Sequence, residues 1–182
     1  MIGIEKLETR RLKLCPFMED NFKNFFDTIN NKYCMNYINR TSEGSVLEKA
    51  KTLFSSIIGS YNTPNAHLIL KILKKETNEY IGACGLMKSN MNEAIECFYT
   101  LLPFHQGNGY TIEAMLKLFE FSFNILNIPK IIVFLHPDNS KGWKVAERIG
   151  MKYLGHYMHS YLSFKVMLFS IEKQEYVSQR RF

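Results

Sequence analysis

The sequence predicts a single α/β domain of the α+β kind, with a mixed, mostly antiparallel sheet of six to seven strands and a central βαβα unit. Three observations predict it. Apolar runs at 66–73, 79–87 and 93–102 are separated only by the polar turns at 76–78 and 89–92, which makes an antiparallel meander. The third run enters a short loop with glycines at 107 and 109, after which Met115, Leu118, Phe119 and Ser122 fall at helical spacing. The β-branched run Ile131-Ile132-Val133-Phe134-Leu135 then returns as a strand buried on both faces, and a strand–helix–strand unit requires a parallel pair.

Taken in order, Leu7 to Leu14 alternates leucine with charge around Leu12 and Leu14, a first strand with one wet face. Phe22, Phe25, Phe26 and Ile29 mark an amphipathic helix that ends at Asn30 and Asn31. Tyr33 to Ile38 is short and aromatic, and either a helical turn or a loop satisfies it. Ser45 with Glu48 three residues on has capping-box spacing, so a second helix should run from there to a glycine stop at Gly59. Tyr61 to Asn65 is a loop, and the three strands of the meander follow. The helix after the glycine loop should span about 109–126, stopped by Asn127 and barred from continuing by Pro129. A last helix runs from about Ser140 to Ile149, with Gly150 after it, and two strands near 151–159 and 162–171 complete the sheet. The domain is therefore placed at 7–172, and residues 173–182 read as a loose polar tail.

At 182 residues, 46% hydrophobic and 22% charged, the chain can bury a real core. A formal net charge of +6 suits an anionic ligand, but the Lys and Arg residues form no clustered stripe, so direct nucleic-acid binding is not expected. Cys15, Cys34, Cys84 and Cys97 form no C-x-x-C pair and read as reduced thiols of a cytoplasmic protein. His156 and His159 lack a nearby cysteine or carboxylate, so no metal is expected. The N-terminus shows no signal pattern, and no apolar run approaches the ~20 residues of a membrane span.

The stretch from Leu101 to Ala114 carries the functional signal. A glycine-rich loop at a helix start gathers unpaired N–H groups and the positive end of the helix dipole around one point, which favours an anion. Glycine removes the Cβ that would hold a phosphate away from the backbone.

The order of motifs resembles the GNAT superfamily of acyl-CoA-dependent N-acyltransferases, and within it the branch that acetylates the N-termini of ribosomal proteins. The resemblance runs from about residue 7 to 171. Thr9-Arg10-Arg11-Leu12 looks like the opening strand of that branch. Ile81-Gly82 through Gly85-Leu86 looks like its I-G-x-x-G-L strand, and Glu96-Cys97-Phe98-Tyr99 its E-x-G-Y strand. Gln106-Gly107-Asn108-Gly109-Tyr110 matches the cofactor loop, and Asn139 with Val145, Glu147 and Gly150 matches the helix that follows.

The resemblance implies an acetyl-CoA-dependent N-acetyltransferase acting on a primary amine, either a protein N-terminus or a small amine, by direct attack in a ternary complex. It implies that the backbone from Gln106 through Gly107, Asn108, Gly109 and Tyr110 to Thr111 holds the pyrophosphate. It further implies that the fourth and fifth strands of the sheet splay, so that Thr100, Leu101 and Leu102 pair with the pantetheine arm as another strand would. Asn139 would reach the arm from the other side, and a backbone N–H of the splayed strand would hold the thioester oxygen. Glu96, among apolar neighbours, is the expected base. The chain departs from the pattern at Thr111, Gly142 and Ala146. The last two replace the usual hydroxyl acids, leaving Ser140 and Tyr153 as substitutes, with Tyr153 the catalytic candidate.

Competing readings are a non-catalytic acyl-CoA sensor or interaction module, a Rossmann-type dinucleotide domain and a basic RNA-binding protein. The antiparallel meander and the absent third glycine oppose the dinucleotide reading. The acceptor amine and the oligomeric state, a homodimer included, are left open by the sequence.

Overall fold

The computed structural model describes residues 6–31, 45–61, 63, 67–89, 94–158 and 164–179. The segment from Tyr33 to Ile38, Cys34 and His159 lie outside the described residues. The strands are β1 (Leu7–Glu8), β2 (Leu12–Pro16), β3 (Leu68–Lys74), β4 (Tyr80–Lys88), β5 (Ile95–Leu101), β6 (Lys130–Leu135), β7 (Lys152–Met158) and β8 (Lys165–Glu172). The described helices are α1 (Phe22–Asn30), α2 (Val46–Ser60), α3 (Tyr110–Asn124), α4 (Ser140–Arg148) and α5 (Lys173–Gln179).

All eight strands join one sheet in the order β1-β2-β3-β4-β5-β6-β8-β7. The expected count of six to seven is exceeded because the first predicted strand is two. Thr9 accepts the Leu12 N–H on its hydroxyl at 2.8 Å, and the chain folds back so that Leu7 pairs with Leu14. The meander and the β5–α3–β6–α4 unit are as predicted. The sheet's last step is not sequential: β8 lies between β6 and β7, antiparallel to both.

The sheet is covered on both faces. On one, α3, α4 and α5 pack over Leu12, Leu14, Ile72, Ile81, Cys84, Cys97, Leu101, Val133 and Phe169. On the other, α1 and α2 bring Phe25, Phe54 and Ile57 onto Phe17, Ile69 and Ala83. Period-two alternation along the inner strands feeds the two layers, while the edge strand β7 is exposed along most of its length. The thiols of Cys15, Cys84 and Cys97 are free, as expected.

Two local expectations are corrected. The α2 helix is N-capped by Ser45, which accepts the Glu48 N–H, but it runs through Gly59 to Ser60. Its end is secured instead by Tyr61, whose hydroxyl donates to the Ile69 carbonyl and accepts the Phe17 N–H. Over residues 173–179 the tail is not loose but forms α5. Gln174 and Ser178 face outward while Tyr176 is buried, its ring 4.8 Å from that of Phe123, and Glu175 pairs with Lys152. One buried aromatic anchors a segment whose composition is otherwise that of a solvated end.

Candidate active site

The β5 strand pairs with β4 along its whole length but with β6 at only two positions, Ile95 with Ile131 and Glu96 with Ile132. From Cys97 onward β5 and β6 diverge. A parallel pair that parts after two residues opens a wedge between its strands, where peptide groups that lose their ladder partner must find another.

Alternation decides which groups face the wedge. The Leu102 N–H donates to the Ile81 carbonyl at 2.9 Å, and the Thr100 carbonyl lies against Gly82, so close that a Cβ there would come within 2.2 Å of it. Residues 100 and 102 therefore direct their peptide groups at β4. Residues 99 and 101, in antiphase, direct theirs at the wedge. This corrects the expectation for Thr100 and Leu102 and adds Tyr99. Of the expected three, Leu101 faces the opening, and its carbonyl already accepts the Gln106 Nε2 at 3.0 Å.

The loop at the open end of the wedge is built as expected. Gly107 and Gly109 have φ values of 82° and 75°, in the left-handed region that glycine adopts without strain. Gly109 is the N-cap of α3 and offers no capping side chain. The first N–H groups of the helix thus lack an internal partner. A Cβ at Gly107 would meet nothing within 4 Å, and one at Gly109 only the Arg11 Nη2 at 3.6 Å. The Asn108 amide closes the loop onto the carbonyls of Gln106 and His105, at 3.2 and 3.4 Å. Tyr110 and Thr111 begin the helix.

Two cations flank this loop that sequence reading did not single out. The Arg11 guanidinium lies 4.5 Å over the Tyr110 ring and is held at 2.6 Å by Glu113. Burial pushes the Glu113 carboxyl up, but bonds from Thr9, the Arg11 N–H and its guanidinium outweigh this and hold it below the usual carboxylate range. Lys141, at the start of α4, reaches the Gln106 Oε1 at 3.2 Å. An open cradle of N–H groups, two nearby cations and the gap between the diverging strands fit the pyrophosphate and the amide-bearing arm of a CoA thioester.

The other wall is α4. Asn139 is its N-cap, its Oδ1 accepting the Gly142 N–H at 2.9 Å, so the side chain is folded onto the helix rather than extended toward an arm. A Cβ at position 142 would lie 2.6 Å from the Asn139 Nδ2, so glycine and this cap come together. Tyr99 spans the wedge from β5, its hydroxyl donating to the Gly142 carbonyl at 2.8 Å, and burial pushes that hydroxyl well above its ordinary range.

Glu96 sits where the strands part. Its partners Met87 and Ile132 put it on the sheet face that α1 and α2 cover. Burial raises its carboxyl above the ordinary value, partly offset by a hydrogen bond from Ser89. Tyr153 is not brought here. It lies on the edge strand β7, 45% exposed, with β8 between it and β6, and its hydroxyl bonds the His156 Nδ1 at 2.8 Å. Among the described residues no group of His, Cys, Asp and Glu could hold a metal ion, and no helix is long and apolar enough to cross a membrane.

A family model described as the acetyltransferase (GNAT) domain matches residues 11–152, from the turn before β2 to the start of β7. The chain belongs to the GNAT acetyltransferase family. The match spans the wedge, the glycine loop and α4. Among relatives, an uncharacterised N-acetyltransferase, p20 of Bacillus licheniformis, is 33% identical over 111 residues, covering 58% of this chain and 62% of that one. The chain spans 47% and 62% of the lengths of the two curated relatives it matches at 33% identity. A spermidine N-acetyltransferase from Vibrio cholerae, solved with CoA and spermine, superposes with a TM-score of 0.76 at 20% identity, over 93% of this chain and 99% of that one. A ribosomal-protein-S5-alanine acetyltransferase from Vibrio fischeri superposes with a TM-score of 0.76 at 15% identity, over 94% and 98%. At these identities both share the GNAT fold, and equal likeness to a polyamine enzyme and a protein enzyme selects neither acceptor.

Proposed function

We propose that this GNAT protein is an acetyl-CoA-dependent N-acetyltransferase that acetylates a primary amine, a protein N-terminus or a small amine, by direct attack in a ternary complex. The observation that carries it is the wedge: β5 leaves β6 after Glu96 and opens toward the uncapped, glycine-lined start of α3. Acetyl-CoA supplies the activated acyl group. The N–H groups from Gly107 to Thr111 hold its diphosphate, with Arg11 and Lys141 adding positive charge beside them. Peptide groups of Tyr99 and Leu101 align the arm, and one of these N–H groups faces the thioester oxygen where negative charge develops. Glu96 takes the proton of the incoming ammonium, directly or through a water, since only the neutral amine attacks.

No dedicated hydroxyl acid is needed. A thiol's pKa is about 8.5 by analogy with cysteine, so a thiolate leaves near neutrality. Gly142 could not become serine without displacing Asn139, Ala146 is fully buried, and Tyr153 has no part in this proposal. The absence of both usual hydroxyls favours a second reading, an acyl-CoA-binding module without turnover.

The deciding experiment measures acetyl-CoA binding by calorimetry and free-thiol release with a panel of peptides, polyamines and aminoglycosides. Transfer to at least one amine is expected. The Gly109→Val variant, with a β-branched side chain at positive φ inside the cradle, should bind at least tenfold more weakly, by analogy with other strained glycine sites. Tight binding with no transfer to any amine would establish the second reading. Wild-type affinity in folded Gly109→Val would remove the cradle.

A further inference from the structure

Ser89 is a buried polar residue, 8% exposed, directly after β4. Its N–H donates to the Ala94 carbonyl at 2.7 Å. The next pairs along the ladder are Lys88 with Ile95 and Met87 with Glu96. Ser89 and Glu96 are thus diagonal neighbours on one face, close enough for side chains to meet. From there the serine hydroxyl is within reach of the Glu96 carboxylate and offsets part of the upward push of burial. Glu96 in turn is the last β5 residue in register with β6.

We propose that Ser89 is the positioning residue for Glu96: its hydroxyl fixes one carboxylate oxygen so that the other is presented at the point where β5 and β6 part. This rests on the transferase reading for its use, but not for its geometry. The hydroxyl favours the ionised carboxylate, the form that accepts a proton, against the burial that opposes it. Among the described residues, the charged groups nearest in register and on the facing helices make their bonds elsewhere. Lys88 and Cys97 lie on the opposite face by alternation, although burial and then the Glu96 charge push the Cys97 thiol up. On the same face Lys71 is bonded to Asn21, and Asp27 of α1 and Glu48 of α2 pair with Lys23 and Lys51 at the surface. The β6 partner, Ile132, is apolar.

The test is a carboxyl-carbon NMR titration of the full chain labelled at glutamate, with the Glu96 signal assigned by its loss in Glu96→Gln. Ser89→Ala removes the donor that favours the charged form, so the Glu96 midpoint should rise by about one pH unit. Ser89→Thr keeps the hydroxyl and should restore the wild-type midpoint. If transfer to any amine is detected, the acid limb of its kcat/KM profile should move up by the same amount in Ser89→Ala, with acetyl-CoA affinity unchanged. An unmoved Glu96 midpoint in Ser89→Ala, or an equal rise in both variants, overturns the proposal. A midpoint that moves in protein that acetylates nothing supports the Ser89–Glu96 link and sinks the transferase reading instead.

Discussion

Glu96 is costly to keep. A carboxyl raised by burial favours its neutral form in the folded state, so its stabilising contribution is complete below the unfolded pKa of about 4.3 and is lost as pH rises through the raised folded value. Glu96→Gln is neutral at every pH. It should melt higher than wild type at pH 8, melt about equally at pH 4, and lose most acetyl transfer, a trade that a thermal scan and a thiol assay at both pH values would detect. Gly142 makes a second residue-level case. Glycine to alanine in a helix normally gains about 0.8–1 kcal/mol, but here the new Cβ would expel the Asn139 cap, worth about 1 kcal/mol. Gly142→Ala should therefore gain nothing or lose stability in the wild-type background, yet stabilise an Asn139→Ala background. Additive denaturation energies across that cycle would show that the two residues do not interact.

At the scale of elements, the start of α3 is tied to the first hairpin. Glu113, in the first turn of α3, accepts the Thr9 hydroxyl at 2.6 Å, the Arg11 N–H at 2.8 Å and the Arg11 guanidinium. Its carboxyl is held below the ordinary range, so its stabilisation is present above the unfolded value and disappears as pH falls through the folded one. Acidification below about pH 4 should destabilise wild type more than Glu113→Gln, as melting curves at pH 3 and pH 7 would show. The same variant should weaken acetyl-CoA binding, because Arg11 loses the partner that keeps it beside the loop. Toward the C-terminus the largest buried group of α5 is the Tyr176 ring, with Val177 packed beside the core and Glu175 paired to Lys152, and Tyr176→Ala should cost about 3–5 kcal/mol in chemical denaturation, as large aromatic truncations do. A change below about 1 kcal/mol would mean that α5 is peripheral after all.

At the scale of the molecule, a ligand seated in the wedge closes an open seam of the sheet. Acetyl-CoA at a hundredfold excess over its Kd should stabilise the fold by about 2.7 kcal/mol, or about 5–10 °C in Tm, and Gly109→Val should forfeit most of that shift. The seam's glycine-rich end was legible in the residues because its cause is local: Gly107 and Gly109 occupy positive φ, and periodicity around them marks strand and helix. For the same reason the meander, α1, α3 and the N-cap role of Ser45 could be read directly, and five ordered motifs pointed to the GNAT family. Contacts across long separations could not. Which peptide groups of β5 face the wedge depends on its register with β4, and a shift of one residue would exchange 100 and 102 for 99 and 101. Tyr99 meets Gly142 across 43 residues, and Lys141 meets Gln106 across 35. Tyr153 looked near the site in sequence, but β8 inserts between its strand and β6, a step of topology that no local pattern encodes. Sequence determined what depends on backbone conformation and period, because those act over a few residues. The tertiary structure alone decided which polar groups converge on the wedge, because that depends on how distant elements stack against one another.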